Sequence, residues 1–275
     1  MHRLVSKFQH PYPKQEQIDT MKKSQLAAQL YTVRDFIQTG FDIAGSLEKI
    51  KKIGYDAVQV SAMGKIDESE LLKICDGLGL RIIATHDGSS TYFDDLDSEI
   101  AHMKALNCQC TAYPWPHILP LTHTGAVLYA RRLNAIAEKM AAAGLELSYH
   151  NHDIEFKKLD GEFLLDIIYR EAPALKAELD VFWVAAAAQD PVKWINKLSG
   201  RQSLIHLKDF GVGAKGGRQM RAIGDGNLDW NAIIPAAEAA GVKYFIVEQD
   251  DCNGADPFDE LARSFEYISR NFISG

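Results

Sequence analysis

A short sequence pattern recurs along this chain: an amphipathic segment ends at glycine or asparagine, and an apolar run begins almost at once. It occurs five times, at Gly54, Gly79, Asn107, Gly144 and Gly241. These residue types accept the left-handed backbone conformation that commonly ends a helix, so each occurrence predicts a helix followed directly by a strand. Repetition of this unit predicts an α/β protein with a parallel sheet.

Counting the apolar runs gives eight predicted strands, separated by seven predicted helices and followed by one more. The predicted strands are Ala27–Tyr31, Ala57–Val60, Arg81–Thr85, Cys110–Tyr113, Glu146–Tyr149, Lys176–Leu179, Ser203–Leu207 and Tyr244–Val247. The predicted helices lie near 42–53, 67–78, 94–106, 123–143, 161–170, 190–199, 229–240 and 256–271. Eight alternating units predict a single (β/α)8 TIM barrel. An open doubly wound sheet would need a glycine-rich phosphate loop after its first strand, and the segment 29–34 has none.

The two ends of this barrel can also be placed. Residues 1–24 are polar and include Pro11 and Pro13, so we expect a tail outside the core, with the barrel domain at residues 25–275. Pro191 and Pro257 each follow an aspartate, as in the first turn of a capped helix. The glycine-rich stretch 211–217 follows the seventh strand without a helix after it, which favours a flexible loop over a phosphate cradle.

Composition restricts the partners and the compartment. The net charge of −7 argues against a nucleic-acid groove, which would need clustered lysine and arginine. No apolar run approaches the roughly 18 residues that span a bilayer, so we expect no membrane partner. The four cysteines form no CxxC pair, and a reducing cytoplasm is the expected location. A homodimer or larger homo-oligomer stays open.

Three predicted strands lead into side chains that bind metals or move protons: Asp180, His206 and Glu248. The carboxyl ends of the strands in such a barrel meet at one rim, where ligands bind. A lone buried histidine is more often a core residue, but an unpaired buried carboxylate is costly, and here two lie at neighbouring strand ends. The set therefore predicts one divalent cation, of manganese, cobalt, zinc or magnesium.

The fourth ligand has two candidates in the segment after the fifth strand. His150 comes directly after the strand, and Glu155 lies on the following loop with His152 between them. If Glu155 does not bind the metal, it could act as a general base, or it could be a solvated loop acid. We expect His152 to contact the substrate.

Other polar and aromatic residues follow the remaining strands. Tyr31 and Arg34 could hold a hydroxylated or anionic substrate, or could form barrel-mouth packing and a surface ion pair. His86 could contact the substrate or transfer a proton. Trp115 and Trp183 could stack on a sugar ring or belong to the core.

These residues lie in motifs that resemble the xylose-isomerase-like TIM-barrel proteins, described as sugar phosphate isomerases/epimerases. The resemblance covers roughly residues 27–268. It rests on six motifs in order: QLYTVRD from Gln29, YHNHDIEF from Tyr149, ELDVFW from Glu178, HLKD from His206, IGDGNLDW from Ile223 and VEQD from Val247.

The resemblance implies a metal held by a Glu, an Asp, a His and a second Glu from four successive strand ends. Carried over, this makes Asp180, His206 and Glu248 ligands, whereas the first Glu is replaced here by His150. Either His150 or Glu155 would then complete the set. The family's two glutamates often form an acid/base pair, so this histidine argues against a symmetrical two-base epimerisation. The segment 149–152 looks like the branch that includes inosose dehydratases and enzymes of 3-keto sugars.

The expected function is a metal-dependent isomerase or epimerase of a small carbohydrate, acting on a keto sugar or sugar phosphate. It would remove the proton next to the carbonyl through a metal-stabilised enediolate. Glu155, Glu248 or His150 would accept the proton, and Lys208 or His86 would stabilise the developing charge. The alternatives are a dehydratase, lyase or hydrolase of inososes or 3-keto-glycosides, and a sugar-binding barrel without catalysis. An abasic-site endonuclease is disfavoured by the net charge.

Overall fold

Eight parallel strands close into a barrel in the computed structural model, which describes residues 21–86 and 90–273. The strands are β1 (Leu26–Gln29), β2 (Ala57–Ser61), β3 (Arg81–His86), β4 (Cys110–Tyr113), β5 (Glu146–His150), β6 (Lys176–Asp180), β7 (Gln202–Leu207) and β8 (Tyr244–Val247). Strand β1 pairs with β2 on one side and with β8 on the other, which closes the sheet. The predicted (β/α)8 barrel is confirmed.

Helices surround this barrel and cover its outer face. They are α1 (Gly40–Ile53), α2 (Glu68–Leu78), α3 (Thr91–Asp94), α4 (Leu96–Ala105), α5 (His123–Ala142), α6 (Leu164–Glu171), α7 (Val181–Ala186), α8 (Pro191–Lys197), α9 (Trp230–Ala239) and α10 (Pro257–Phe272). One continuous apolar core fills the space between the strands and the helices. No described helix combines the length and the apolar character needed to cross a lipid bilayer.

The local signals in the sequence act as predicted at the ends of the helices. All five glycine or asparagine junctions have positive φ, from 50° at Asn107 to 129° at Gly54. Asp190 and Asp256 cap α8 and α10, each by accepting a hydrogen bond from a backbone N–H in the first turn. The positive-φ residues let each strand start close behind the preceding helix, and the two aspartates fix where α8 and α10 begin.

Three local predictions are corrected. Strand β1 ends at Gln29, because residues Leu30–Phe36 turn into a 3-10 helix. The stretch 211–217 is not simply a flexible loop, because Asp209–Val212 and Arg218–Arg221 pair as an antiparallel hairpin around it. Helix α6, which was predicted to lie near 161–170, begins at Leu164 because a small hairpin precedes it.

The tail also ends earlier than predicted. Met21 is 1% exposed and packs in the main core, and its N–H donates to the carbonyl of Phe272 at 3.1 Å. The expectation that the chain through residue 24 lies outside the core is therefore wrong for Met21. Residues 1–20 lie outside the described part of the chain.

The middle of the barrel is polar. Side chains of six different strands meet there: Gln29, Gln59, His86, His150, Glu178 and His206. We call this set the polar layer. Five of its members are at most 3% exposed, and His86 is partly exposed. Water is therefore nearly excluded, and these groups must satisfy one another.

Candidate metal centre and pocket

The ends of β6, β7 and β8 bring Asp180, His206 and Glu248 together. One ligand atom from each lies within 4.8 Å of the other two. His206 Nδ1 is 2.7 Å from Glu248 Oε2 and 3.9 Å from Asp180 Oδ2. All three side chains are buried, so the group forms a compact site with two carboxylates and one imidazole.

This group has the properties of a metal centre. Asp180 Oδ2, His206 Nδ1 and Glu248 Oε2 are buried atoms that have no hydrogen bond of acceptable geometry. Buried polar atoms of folded proteins rarely lack a hydrogen bond, so these three atoms are available to a cation. Carboxylate oxygen and imidazole nitrogen both serve as ligands for divalent cations such as manganese, cobalt, zinc and magnesium, and the preferred mixture differs between these metals. The residues therefore fit a divalent cation.

Lys208 supplies a positive charge next to the same oxygens. Its Nζ lies 3.1 Å from Asp180 Oδ2, 2.8 Å from Glu248 Oε2 and 3.0 Å from Asp250 Oδ1. Burial alone would lower the pKa of Lys208, but these carboxylates hold it well above its usual value. Burial would raise the pKa of Glu248, yet Lys208 and His206 hold it well below its usual value. Both groups are therefore charged at neutral pH.

His150 lies beside this group, and each of its two ring nitrogens is close to a different carboxylate. Nε2 is 3.9 Å from Asp180 Oδ2, and Nδ1 is 3.3 Å from Glu178 Oε2. Burial lowers the pKa of His150 well below its usual value, so the imidazole is neutral. A neutral imidazole that presents Nε2 to the Asp180 side can act as a ligand.

Asn151, between the two histidines of the 149–152 segment, explains part of this arrangement. Its Oδ1 accepts the N–H of Asp180 at 3.0 Å, and its Nδ2 donates to the carbonyl of the same residue. Asp180 also caps α7 by accepting the N–H of Trp183 through Oδ1. The second carboxylate oxygen, Oδ2, is left to face the metal centre.

Glu155 does not join the metal centre. Its side chain is fully buried, Oε1 accepts the hydroxyl of Tyr149 at 2.9 Å, and Oε2 accepts the N–H of His152 at 2.7 Å. Burial raises the pKa of Glu155 from 4.5 to about 7. The carboxylate holds the chain that follows β5 in place, and it lies behind the pocket rather than in its lining.

We expect Glu155→Gln to remove a pH dependence of stability and to leave metal content unchanged. The pKa of Glu155 is raised in the folded state, so the folded protein binds this proton more tightly than the unfolded chain. Its contribution is full below about pH 4.5 and is lost as the pH rises through about 7, by at most about 3 kcal/mol. Urea unfolding at pH 5 and pH 8 should show wild type losing more stability than the variant. An equal loss in both proteins, or loss of metal from the variant, would contradict this placement.

An open pocket of about 430 Å³ adjoins the candidate metal centre through Glu248. Its walls include Tyr31, Ser61, His86, Pro114, Trp115, His150, His152, Asp153, Trp183, Lys208, Glu248 and Asp250. The His152 ring lies between the two indoles, 4.6 Å from Trp115 and 5.2 Å from Trp183 by ring centroids. Trp115 is half exposed, which leaves its face free to pack on a bound molecule.

Of the residues predicted to contact the substrate, all except Arg34 belong to the described lining of this pocket. Its guanidinium donates to the carbonyl oxygens of Tyr31 and Asp250 at 3.0 and 3.1 Å. The side chain also lies over the Tyr31 ring, 4.4 Å from its centroid. Arg34 thus joins the loop after β1 to the loop after β8 and shapes the mouth of the pocket.

Two acidic residues at the site were not singled out from the sequence. Glu178 lies in the polar layer, surrounded by His86, His150 and His206. Asp250 lines the pocket, and burial raises its pKa to about 7. The two-residue period of a strand could have found Glu178, because it shares the inward face of β6 with Asp180.

Residues 47–270 match the xylose isomerase-like TIM barrel family, and the chain belongs to that family. No curated protein is significantly similar to this chain in sequence.

Several solved structures share the fold of this chain. A sugar phosphate isomerase/epimerase of Parabacteroides distasonis is 20% identical with a TM-score of 0.76, over 90% of this chain and 94% of that one. An L-ribulose 3-epimerase is 16% identical with a TM-score of 0.71, over 90% and 94%. A probable 3-DHS dehydratase of Bacillus anthracis is 15% identical with a TM-score of 0.66, over 90% and 99%. At these identities the likeness shows the shared barrel fold.

Proposed function

We propose that this protein is a metal-dependent enzyme that removes the proton next to the carbonyl group of a keto sugar. The observation that carries the proposal is the convergence of three buried ligand atoms from Asp180, His206 and Glu248, the last of which also lines an open pocket. Strongly perturbed groups in a cleft are typical of catalytic sites. Solved structures similar to this chain include a sugar phosphate isomerase/epimerase and an L-ribulose 3-epimerase.

One divalent cation would be held by Asp180, His206 and Glu248, with His150 Nε2 as the nearest further ligand. When bound, such a cation supplies Lewis acidity, which weakens the C–H bond next to a carbonyl. Glu155 stays a positioning acid in this scheme, because Tyr149 and His152 occupy its two oxygens.

The side chains of the pocket supply the remaining functions. Trp115 and Trp183 form apolar surfaces against which the carbon face of a sugar can pack. Glu248 is ionised and reaches the pocket, so it can accept the proton that leaves carbon. Lys208, buried beside it, stabilises negative charge that develops on the substrate oxygen.

The charges of the pocket favour a neutral sugar over a phosphorylated one. Lys208 is the only lysine or arginine among the described residues of the lining, and three carboxylates already surround it. A phosphate group would add negative charge where Glu248 and Asp250 are within reach. The net charge of −7 acts in the same direction.

A dehydratase or lyase outcome is the second candidate, and His150 is the observation that favours it. A symmetrical epimerisation needs a base on each face of the substrate carbon, and a neutral imidazole replaces one of the two expected carboxylates. Elimination from inososes or 3-keto-glycosides needs only one proton acceptor and a leaving group. Both outcomes share the first step, removal of the proton next to the carbonyl.

The test is proton exchange in deuterated water. Metal-loaded protein is incubated with keto sugars, 3-keto-glycosides and inososes, with and without a phosphate group, and deuterium incorporation is followed by NMR. We expect incorporation at the carbon next to the carbonyl for at least one neutral class, and none with His206→Ala. Elimination products would assign the lyase outcome. Tight sugar binding with no exchange for any compound would contradict the proposal and support a binding barrel without catalysis.

A further inference from the structure

Glu178 lies directly below the metal centre and is the acceptor for several donors of the polar layer. Gln59 Nε2 donates to Glu178 Oε1 at 2.7 Å. On the other oxygen, Oε2, lie His86 Nε2 in close contact, His150 Nδ1 at 3.3 Å and His206 Nε2 at 3.3 Å. The side chain is completely buried, and the carboxylate therefore has no access to water.

Glu178 fixes the orientation of the Gln59 amide. Because the carboxylate can only accept at Oε1, the amide nitrogen of Gln59 must face Glu178, and its oxygen must face away. That oxygen accepts from Gln29 Nε2 at 2.9 Å and from His206 Nε2 at 2.7 Å. His206 thus carries a proton on Nε2, and its Nδ1 is the atom directed to Asp180 and Glu248.

The same carboxylate acts on His150 from the other side. His150 Nδ1 is buried and forms no hydrogen bond of acceptable geometry, and Glu178 Oε2 is a carboxylate oxygen 3.3 Å away that can accept its proton. A proton on Nδ1 leaves the lone pair on Nε2, the nitrogen that lies on the Asp180 side. A ligating histidine typically donates its second N–H to a carboxylate or carbonyl, which fixes the ring and its tautomer.

We propose that Glu178 is the positioning residue of the metal centre, directing the protons of His150 and, through Gln59, of His206 away from the metal. This inference rests on the proposed metal-dependent function. Glu178 itself touches neither metal nor substrate. It acts through the two imidazoles, whose other ring nitrogens, His150 Nε2 and His206 Nδ1, lie on the Asp180 side.

The first variant is Glu178→Gln, which keeps the size of the side chain. An amide has one accepting oxygen, but Glu178 faces donors at both ends, so the new N–H must oppose either Gln59 or the histidines. We expect the affinity for Zn²⁺ or Mn²⁺ to fall about 10- to 100-fold, the usual effect of removing such a partner. Glu260→Gln is the matched control, because Glu260 is a buried acid on α10 that pairs with Arg263, and it should keep wild-type affinity.

The double variant Gln59→Glu/Glu178→Gln tests the direction of the hydrogen bonds. The amide at 178 can donate to the carboxylate at 59, which leaves its oxygen to accept from His150. The carboxylate at 59 still accepts from Gln29 and His206. We expect metal affinity to return to within a few-fold of wild type, which a role in packing alone would not produce. A double variant no better than Glu178→Gln, with both folded, overturns the proposal, as does wild-type affinity in Glu178→Gln.

A measurement on the metal-free protein separates this inference from the proposed function. Two-bond ¹H–¹⁵N correlation spectra of the imidazoles should show the proton of His150 on Nδ1 in wild type and shifted toward Nε2 in Glu178→Gln. If wild type binds no divalent metal, the proposed function fails, and this spectrum alone decides the role of Glu178. An unchanged tautomer in the variant overturns the inference. Two metals per chain would also overturn it, since the second would lie among His86, His150, Glu178 and His206.

Discussion

Replacing His206 with alanine is expected to empty the candidate metal centre and to slow turnover strongly while the barrel stays folded. His206 Nδ1 is the one nitrogen within the group formed with Asp180 and Glu248, and its loss leaves two carboxylates beside Lys208. Lewis-acid assistance contributes several kcal/mol, so its removal corresponds to a rate loss on the order of 10³-fold. Metal content by elemental analysis and the far-ultraviolet circular dichroism spectrum are the two measurements.

His102→Ala is the matched control for this experiment. His102 lies on α4 and pairs with Glu68 at 2.8 Å, outside the pocket lining and the polar layer. The control should retain both metal and activity. Full metal occupancy in folded His206→Ala protein would show that the three strand ends do not form the metal centre.

Replacing Lys208 with methionine is expected to make stability depend strongly on the metal. In the metal-free protein Lys208 Nζ lies within 3.1 Å of a carboxylate oxygen of Asp180, Glu248 and Asp250, and its side chain is only 3% exposed. Removing one partner of a buried ion pair typically costs about 3–5 kcal/mol. A bound divalent cation would compensate the same carboxylates, so the metal-loaded variant should lose much less. Urea unfolding with a chelator and with saturating metal measures the difference.

Lys197→Met provides the comparison, because Lys197 pairs with Asp166 at a surface position where its own side chain is half exposed. Such pairs contribute at most about 1 kcal/mol, and the metal should not alter the cost. Equal destabilisation of Lys208→Met with and without metal would mean that the cation does not bind near these carboxylates.

Much of the fold could be predicted from the sequence because its signals are local. A glycine or asparagine that ends a helix, followed by an apolar run, marks each junction, and the structure has positive φ at all five positions. Met21 gave no such signal, since a single methionine in a polar stretch does not show that it packs against Phe272. Contacts between distant parts of the chain have no local pattern.

For each of three strands, the sequence predicted one side chain of the candidate site. Asp180, His206 and Glu248 directly end or follow apolar runs, and the structure brings them together. Glu178 was hidden because a carboxylate in the middle of a strand resembles an outward-facing residue unless the two-residue period is applied. For Glu155 the sequence suggested a role in the site that the structure does not support. Only the fold shows that Tyr149 and His152 donate hydrogen bonds to its two oxygens.

The two halves of the chain supply different side chains to the polar layer and to the candidate metal centre. His150, Asp180, His206 and Glu248 lie on or directly after β5 to β8, whereas Gln29, Gln59 and His86 of the layer lie on β1 to β3. A fragment cut between β4 and β5 would carry every ligand yet lack the amide that orients His206. Tight metal binding should therefore appear only when both fragments are combined, which makes the bound ion a reporter of barrel closure.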